Sequence, residues 1–261
     1  MDSSKYLQSL FACTGRKAVV TGASSGLGRE MARVLVQAGA DVLVVARRSE
    51  LLESLSSELD DCEGATLTCK ADLSQRAGID KVAEAAENRL GGCDILVANA
   101  GVADRVRLEK IAVEKFAEVV HLNVTSQWLL SKTLFPFISK SKAGRIINIA
   151  SVYGLGASVY DGLGAYSVSK LALIGLTRTQ AVEWSRFGIT SNAIAPSFFD
   201  TEMTKSALAD DKLSSIISSF SPQHRFGSPP EIATALLFLA STGSSFVNGA
   251  IVPVDGGWTA W

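Results

Sequence analysis

Tyr166 and Lys170 stand four residues apart in "GAYSVSK", so a helix beginning there sends a phenol and an ammonium out of the same face. A phenol within hydrogen-bond reach can give a proton to a substrate oxygen or take one away, and a neighbouring cation favours its ionised form. Because a free phenol titrates near pH 10, use as a base near neutrality needs roughly 4 kcal/mol in favour of phenolate. Lys170 is expected to supply part of it. Ser151 lies upstream, just ahead of a glycine-studded run from Gly154 to Gly162. Its hydroxyl suits a neutral donor to an oxygen that gathers charge. Taken alone, the Tyr/Lys pair also fits a solvated contact on a helix surface.

A second chemical feature lies near the start of the chain, in "VVTGASSGLGRE". Gly22, Gly26 and Gly28, with Ser24, Ser25 and Leu27 between them, remove Cβ atoms where a strand turns sharply into a helix. Free N–H groups and the positive end of the helix dipole meet there, which suits a pyrophosphate. The spacing is G-x-x-x-G-x-G, neither the G-x-G-x-x-G fingerprint nor a Walker A loop. A tight strand-to-helix turn without ligand is the alternative. The next strand ends in "VVARRSE", where Ala46 offers no carboxylate to a ribose 2′-hydroxyl but Arg47 and Arg48 offer charge-assisted donors to a 2′-phosphate. NADP(H) is therefore expected over NAD(H). Ser49 reads as a helix N-cap, and the helix dipole explains Glu50.

These groups need a scaffold, and the hydropathy pattern supplies one. Seven short apolar runs, 17–21, 41–46, 65–69, 94–99, 145–150, 190–195 and 250–254, read as strands. Helix-patterned stretches at 26–38, 50–59, 75–90, 114–138, 166–186 and 230–241 separate them. Such alternation predicts an α/β, doubly wound Rossmann fold: a parallel sheet of about seven strands with helices on both faces. No linker or low-complexity tract divides residues 1–261, so a single domain is expected. The segment 198–226 breaks the rhythm as a long helical connection at a strand end, a place for a lid or specificity loop.

Composition narrows the partners. Twenty-five basic and 26 acidic residues leave a net charge of -1, which gives no field for nucleic acid or anionic membrane. No apolar run is long enough to span a bilayer. Cys13, Cys62, Cys69 and Cys93 show neither C-x-x-C spacing nor a dense framework, which suggests reduced thiols and a cytoplasmic location. With two histidines in the chain, no metal site is expected.

Several ordered motifs together resemble the short-chain dehydrogenase/reductase family, over essentially the whole chain. They are "TGASSGLG" (21–28), "ADLS" (71–74), "ANAG" (98–101), "LNV" (122–124), "IAS" (149–151), Y-S-V-S-K (166–170) and "NAIAPS" (192–197). The resemblance implies a catalytic set of Asn123, Ser151, Tyr166 and Lys170, with Asn123 holding water behind Lys170. It places Asp72 and Leu73 by the adenine, Asn99, Ala100 and Gly101 along the nucleotide, and Pro196, Ser197 and Thr201 beside the nicotinamide. Tyr166 and Lys170 also contact the cofactor in this assignment. Pro196-Ser197 stands where the family usually has Pro-Gly, and the loop between Ser151 and Tyr166 is longer than usual. His121, two residues before Asn123, is expected to face away from it and is assigned no catalysis.

"LFACTGRKA", "FFDTEMTK" and "RFGSPPEIA" are similar to the gluconate 5-dehydrogenase branch. That likeness implies a sugar-acid substrate with Arg105 on its carboxylate, Arg107 as a second candidate, and Ser151 and Tyr153 beside the reacting group. The same motifs suit 3-oxoacyl thioester reductases, and the apolar residues of 198–220 suit a lipophilic ketone. A non-catalytic dinucleotide-binding module is the reading from another class. The resemblance further implies a homotetramer, and Trp258 and Trp261 are expected near the surface as part of an interface.

Overall fold

Along β1 (Lys17–Thr21), Ala18 and Val20 enter one core layer while Val19 enters the other, because successive side chains on a strand point to opposite faces. The same alternation in β2 (Asp41–Ala46) sends Val42 and Val44 one way and Leu43 and Val45 the other. Both faces of the sheet are thus covered. The strands continue with β3 (Thr66–Lys70), β4 (Ile95–Ala98), β5 (Arg145–Ile149), β6 (Thr190–Pro196) and β7 (Ile251–Val254). All pairings are parallel, in the order β3-β2-β1-β4-β5-β6-β7. This is the expected doubly wound α/β architecture, seen in a computed structural model that describes Tyr6, residues 10–157 and residues 162–260. Each strand end lies within one residue of its sequence expectation.

The helices are α1 (Gly26–Gln37), α2 (Ser49–Glu58), α3 (Arg76–Ala85), α4 (Val113–Val120), α5 (Ser126–Ile138), α6 (Gly164–Trp184), α7 (Lys205–Leu208), α8 (Asp211–Phe220) and α9 (Ala233–Ala240). Met31 and Leu35 of α1, Leu52 and Leu55 of α2, and Leu236 and Leu239 of α9 fill one layer. Ile79 and Val82 of α3 and Leu130, Leu134 and Ile138 of α5 fill the other. Each such side chain contributes about 1.5–3 kcal/mol by leaving water. At the N-terminal ends of β1 and β5, Arg16 donates to Ala143 O and Ala240 O, and Arg145 to Gly144 O, Ser241 O and Thr242 O. These cations take up carbonyls at the C-terminal end of α9. Burial, and Arg16 nearby, draw Arg145 down to about 10.

Three expectations change. The stretch 114–138 is not one regular helix: a π-helical turn at His121–Thr125 joins α4 to α5. Helix α2 starts at Ser49 itself, with Arg48 in the cap position. Trp258 is partly buried in an aromatic cluster, 5.5 Å from Phe220, 5.6 Å from Phe198 and 6.3 Å from Tyr153 between ring centres. It packs against the 198–226 segment and is only partly exposed. Trp261 and residues 158–161 of the long glycine loop lie outside the described residues.

Candidate active site

The chain passes from β1 to β2 and β3 on one side, then returns to β4 on the other, and this reversal opens a crevice at the strand ends. Thr21 closes its floor: its Oγ1 accepts from Asn99 N at 2.9 Å and Ala100 N at 3.0 Å. The Asn99 amide nitrogen donates back to Thr21 O at 2.8 Å. The glycine loop follows at once. Gly26 has φ +55°, and a Cβ there would stand 3.2 Å from Thr201. A Cβ on Gly28 would collide with the carbonyl oxygen of Gly22 and come within 2.5 Å of the Asn99 amide nitrogen. Glycine is required at both places, and the N-terminus of α1 is thereby left open to an anion.

A cavity of about 750 Å³ fills the crevice and is lined by every residue that the sequence assigned to the dinucleotide. Those residues are Gly22, Ser24, Ser25, Gly26, Leu27, Gly28, Arg47, Arg48, Asp72, Leu73, Asn99, Ala100, Gly101, Tyr166, Lys170, Pro196, Ser197 and Thr201. Asp72 accepts from the backbone N–H of Ser74 at 3.0 Å and from its hydroxyl at 2.8 Å, which together hold its carboxyl below the usual range. Ser197 keeps ordinary backbone geometry, since His224 alone among the described non-glycine residues has positive φ. The missing glycine after Pro196 therefore costs nothing here. The size, the glycine cradle and the two arginines fit a phosphorylated dinucleotide.

Tyr166 and Lys170 leave the first turns of α6 toward the same crevice, with the Lys170 ammonium 5.5 Å from the Tyr166 ring centre. Lys170 is buried and donates to Ile149 O, at the end of β5, at 2.7 Å. Ser151, two residues beyond that strand end, caps a short 3-10 turn by accepting from Tyr153 N at 3.2 Å. Burial acts on the protonation of both members of the pair. Burial raises the Tyr166 pKa, a hydrogen bond from Ser151 opposes it, and burial draws Lys170 down to about 8. Removal of solvent disfavours both charged forms, so in this structure Lys170 does not pull the phenol below its ordinary value.

Asn123 sits inside the π-helical turn, fully buried. Its Oδ1 accepts from Val102 N at 2.8 Å, and its Nδ2 donates to Val102 O and Ser169 Oγ, both at 2.9 Å. Ser169 in turn donates to Tyr166 O at 2.7 Å. Both amide hydrogens are thus spent on protein groups, and the side chain clamps the loop that follows Gly101 against α6.

A second cavity, about 590 Å³, shares Ser151 and Tyr166 with the first and is also lined by Arg105 and Tyr153. Arg105 is exposed and donates to Ser206 Oγ at 3.2 Å, whereas Tyr153 is buried with its ring edge toward Phe198. Two further groups stand at the cleft, and of these Glu202 escaped the sequence reading. His121 is exposed, as expected of a side chain turned away from buried Asn123, and lies on the rim with Nε2 3.0 Å from Ser74 O. Glu202, from the segment after β6, grips Arg48 with contacts of 2.7 and 2.8 Å and lines both cavities. No local pattern announces a pair separated by 154 positions.

Comparison with known proteins agrees with this geometry. A family model for enoyl-(acyl carrier protein) reductase matches residues 22–259. The 2-dehydro-3-deoxy-D-gluconate 5-dehydrogenase of Bacillus subtilis (strain 168) is 38% identical over 255 residues, 97% of this chain and 98% of its own. The 3-oxoacyl-(acyl-carrier-protein) reductase FabG of Vibrio cholerae serotype O1 is 35% identical over 244 residues, 93% of this chain and 97% of its own. A solved structure from Beutenbergia cavernae, assigned as an NAD(P)-dependent gluconate 5-dehydrogenase with NADP bound at low occupancy, superposes with a TM-score of 0.90. It is 36% identical, covering 97% of this chain and 100% of that one. With these matches, the seven-stranded parallel sheet and the Ser151, Tyr166 and Lys170 cluster in its crevice, the chain belongs to the short-chain dehydrogenase/reductase family.

Proposed function

We propose that this protein is an NADP(H)-dependent oxidoreductase that interconverts a secondary alcohol and a ketone of a sugar acid, such as gluconate and 5-ketogluconate. One observation carries the reading: Ser151 and Tyr166 line both cavities, so they stand where a cofactor and a carbonyl would meet. A bound nicotinamide supplies the hydride in reduction and takes it back in oxidation. Tyr166, kept protonated by burial, gives its hydroxyl proton to the carbonyl oxygen as that oxygen gains charge. Ser151 donates to the same oxygen, and Lys170 carries the cation that eases the reverse step. Asn123 is a positioning residue. Arg105 at the mouth of the second cavity meets the substrate carboxylate, and Tyr153 forms its wall.

The chain acts as one domain in the cytoplasm, and as a homotetramer. Val168, Leu171 and Val182 form an exposed apolar stripe on α6, with Gly175 open to space between them, which supports an interface between copies. No described helix is long and apolar enough to cross a membrane. The second reading, a 3-oxoacyl thioester or lipophilic ketone reductase, is favoured by Val152, Leu163, Phe198 and Met203 in the substrate cavity.

The test is steady-state turnover of sugar acids, 3-oxoacyl thioesters and cyclic ketones with NADPH and NADH. Tyr166→Phe is expected to lower kcat by about 10²–10⁴-fold. Arg105→Gln is expected to raise KM about tenfold or more for acids and to leave neutral ketones unaffected. Thioester turnover with no sugar-acid turnover would select the second reading. Binding without turnover of any substrate would leave a dinucleotide-binding module.

A further inference from the structure

Arg48 and Glu202 meet across the mouth of the cofactor crevice. The two guanidinium nitrogens face the two carboxylate oxygens, Nη1 to Oε1 at 2.8 Å and Nη2 to Oε2 at 2.7 Å. Nη2 also donates to Ser24 Oγ at 3.2 Å and Ser25 Oγ at 2.9 Å. Ser25 is a hydrogen-bond partner of the carboxylate as well, and together these contacts hold Glu202 at about 2. The carboxylate therefore rests in a cradle of one planar cation and a hydroxyl from the glycine loop. A phosphate monoester takes such a cradle for the same reason, through paired charge-assisted hydrogen bonds.

The carboxylate is presented by a braced turn. Phe199 is buried and bridges to Gly227, Asp200 N donates to Gly227 O at 2.9 Å, and Thr201 N donates to Thr204 Oγ1 at 3.1 Å. Thr201 lies against Gly26 of the glycine loop. Glu202 is thus delivered to the end of β2, the place where a doubly wound fold reads the adenosine ribose.

We propose that Glu202 is a self-supplied competitor for the 2′-phosphate of the cofactor: its carboxylate occupies the Arg48 fork and must be displaced for that phosphate to bind. The idea rests on the NADP(H) reading above and adds a residue that sets how strongly the 2′-phosphate is preferred. The competition is mild. Both partners are about half exposed, with side-chain accessibilities of 41% and 57%, and exposed ion pairs are weak. A doubly charged phosphate can displace such a carboxylate, at the expense of a few-fold in affinity.

The test is calorimetric titration of the ligand-free protein with adenosine 2′,5′-bisphosphate and with 5′-AMP, which differ in the 2′-phosphate alone. Glu202→Gln is expected to tighten the bisphosphate by about two- to fivefold and to leave 5′-AMP unchanged. Arg48→Gln should weaken the bisphosphate by about tenfold and erase the gain from Glu202→Gln in the double variant. The proposal is overturned if Glu202→Gln changes neither ligand, tightens both alike, or keeps its gain without Arg48. It is equally overturned if Arg47→Gln, and not Arg48→Gln, removes the preference. A wild-type protein that binds both ligands equally would refute the NADP(H) reading itself. A preserved preference with no effect of Glu202→Gln would refute the competition alone.

Discussion

Lys170 keeps its ammonium on a backbone carbonyl in a site that is 5% exposed, and the loss of solvent draws its pKa to about 8 from an ordinary 10.5. Between those two values the unfolded chain binds more protons than the folded one, so stability rises with pH across that window. Below about pH 8 both states are protonated and the burial cost is present in full. Compared with Lys170→Met, the wild type is expected to gain roughly 3 kcal/mol between pH 8 and 10.5, read from chemical denaturation at each pH. A pH-independent difference would mean that the lysine reaches water. The comparison with Met also removes the opposing alkaline contribution of Tyr166, whose raised pKa is common to both proteins.

The first turn of α1 depends on the ends of β1 and β4 at once. Gly28 faces the Gly22 carbonyl and the Asn99 amide, and Asn99 cannot retreat because its amide is bonded to Thr21 O. Gly28→Ala is expected to cost about 1–3 kcal/mol of stability through forced separation of the turn from β4. NADPH binding should fall with it, since the same turn carries the anion-binding N–H groups. A thermal melt and a fluorescence titration check both, and an unchanged melting temperature with unchanged affinity would mean that the turn can open freely. The π-helical turn between α4 and α5 acts in a similar way. It places Asn123 against Val102 and Ser169, so α6, which carries Tyr166, is tied to the loop after β4 that carries Gly101.

The whole molecule buries both faces of its sheet yet leaves the apolar stripe of α6 uncovered. Val168, Leu171 and Val182 are 47%, 60% and 78% exposed, on the helix whose inner face holds Lys170. A charge placed there should separate copies without touching the crevice. If the proposed tetramer forms through this stripe, Leu171→Glu is expected to shift the species seen in sedimentation velocity to smaller forms, with dinucleotide affinity altered by less than about twofold. A wild-type monomer at working concentration would refute the tetramer.

Period-two and period-3.6 patterns specified the strands and most helices, because local propensity and burial agree in a sheet covered on both faces. The glycine loop and the Tyr166/Lys170 spacing were legible for a similar reason: each lies within one turn of chain, where geometry follows from sequence separation. What the tertiary structure decided involves distant residues or solvent. The sequence left open the Arg48–Glu202 contact, the enclosure of Trp258 by Phe198 and Phe220, and the place of His121 on the crevice rim. It also left open how far burial raises the Tyr166 pKa, since proximity to a cation can be read along the chain but the depth of burial cannot. Desolvation is a property of the packed molecule, and residue spacing along the chain carries no measure of it.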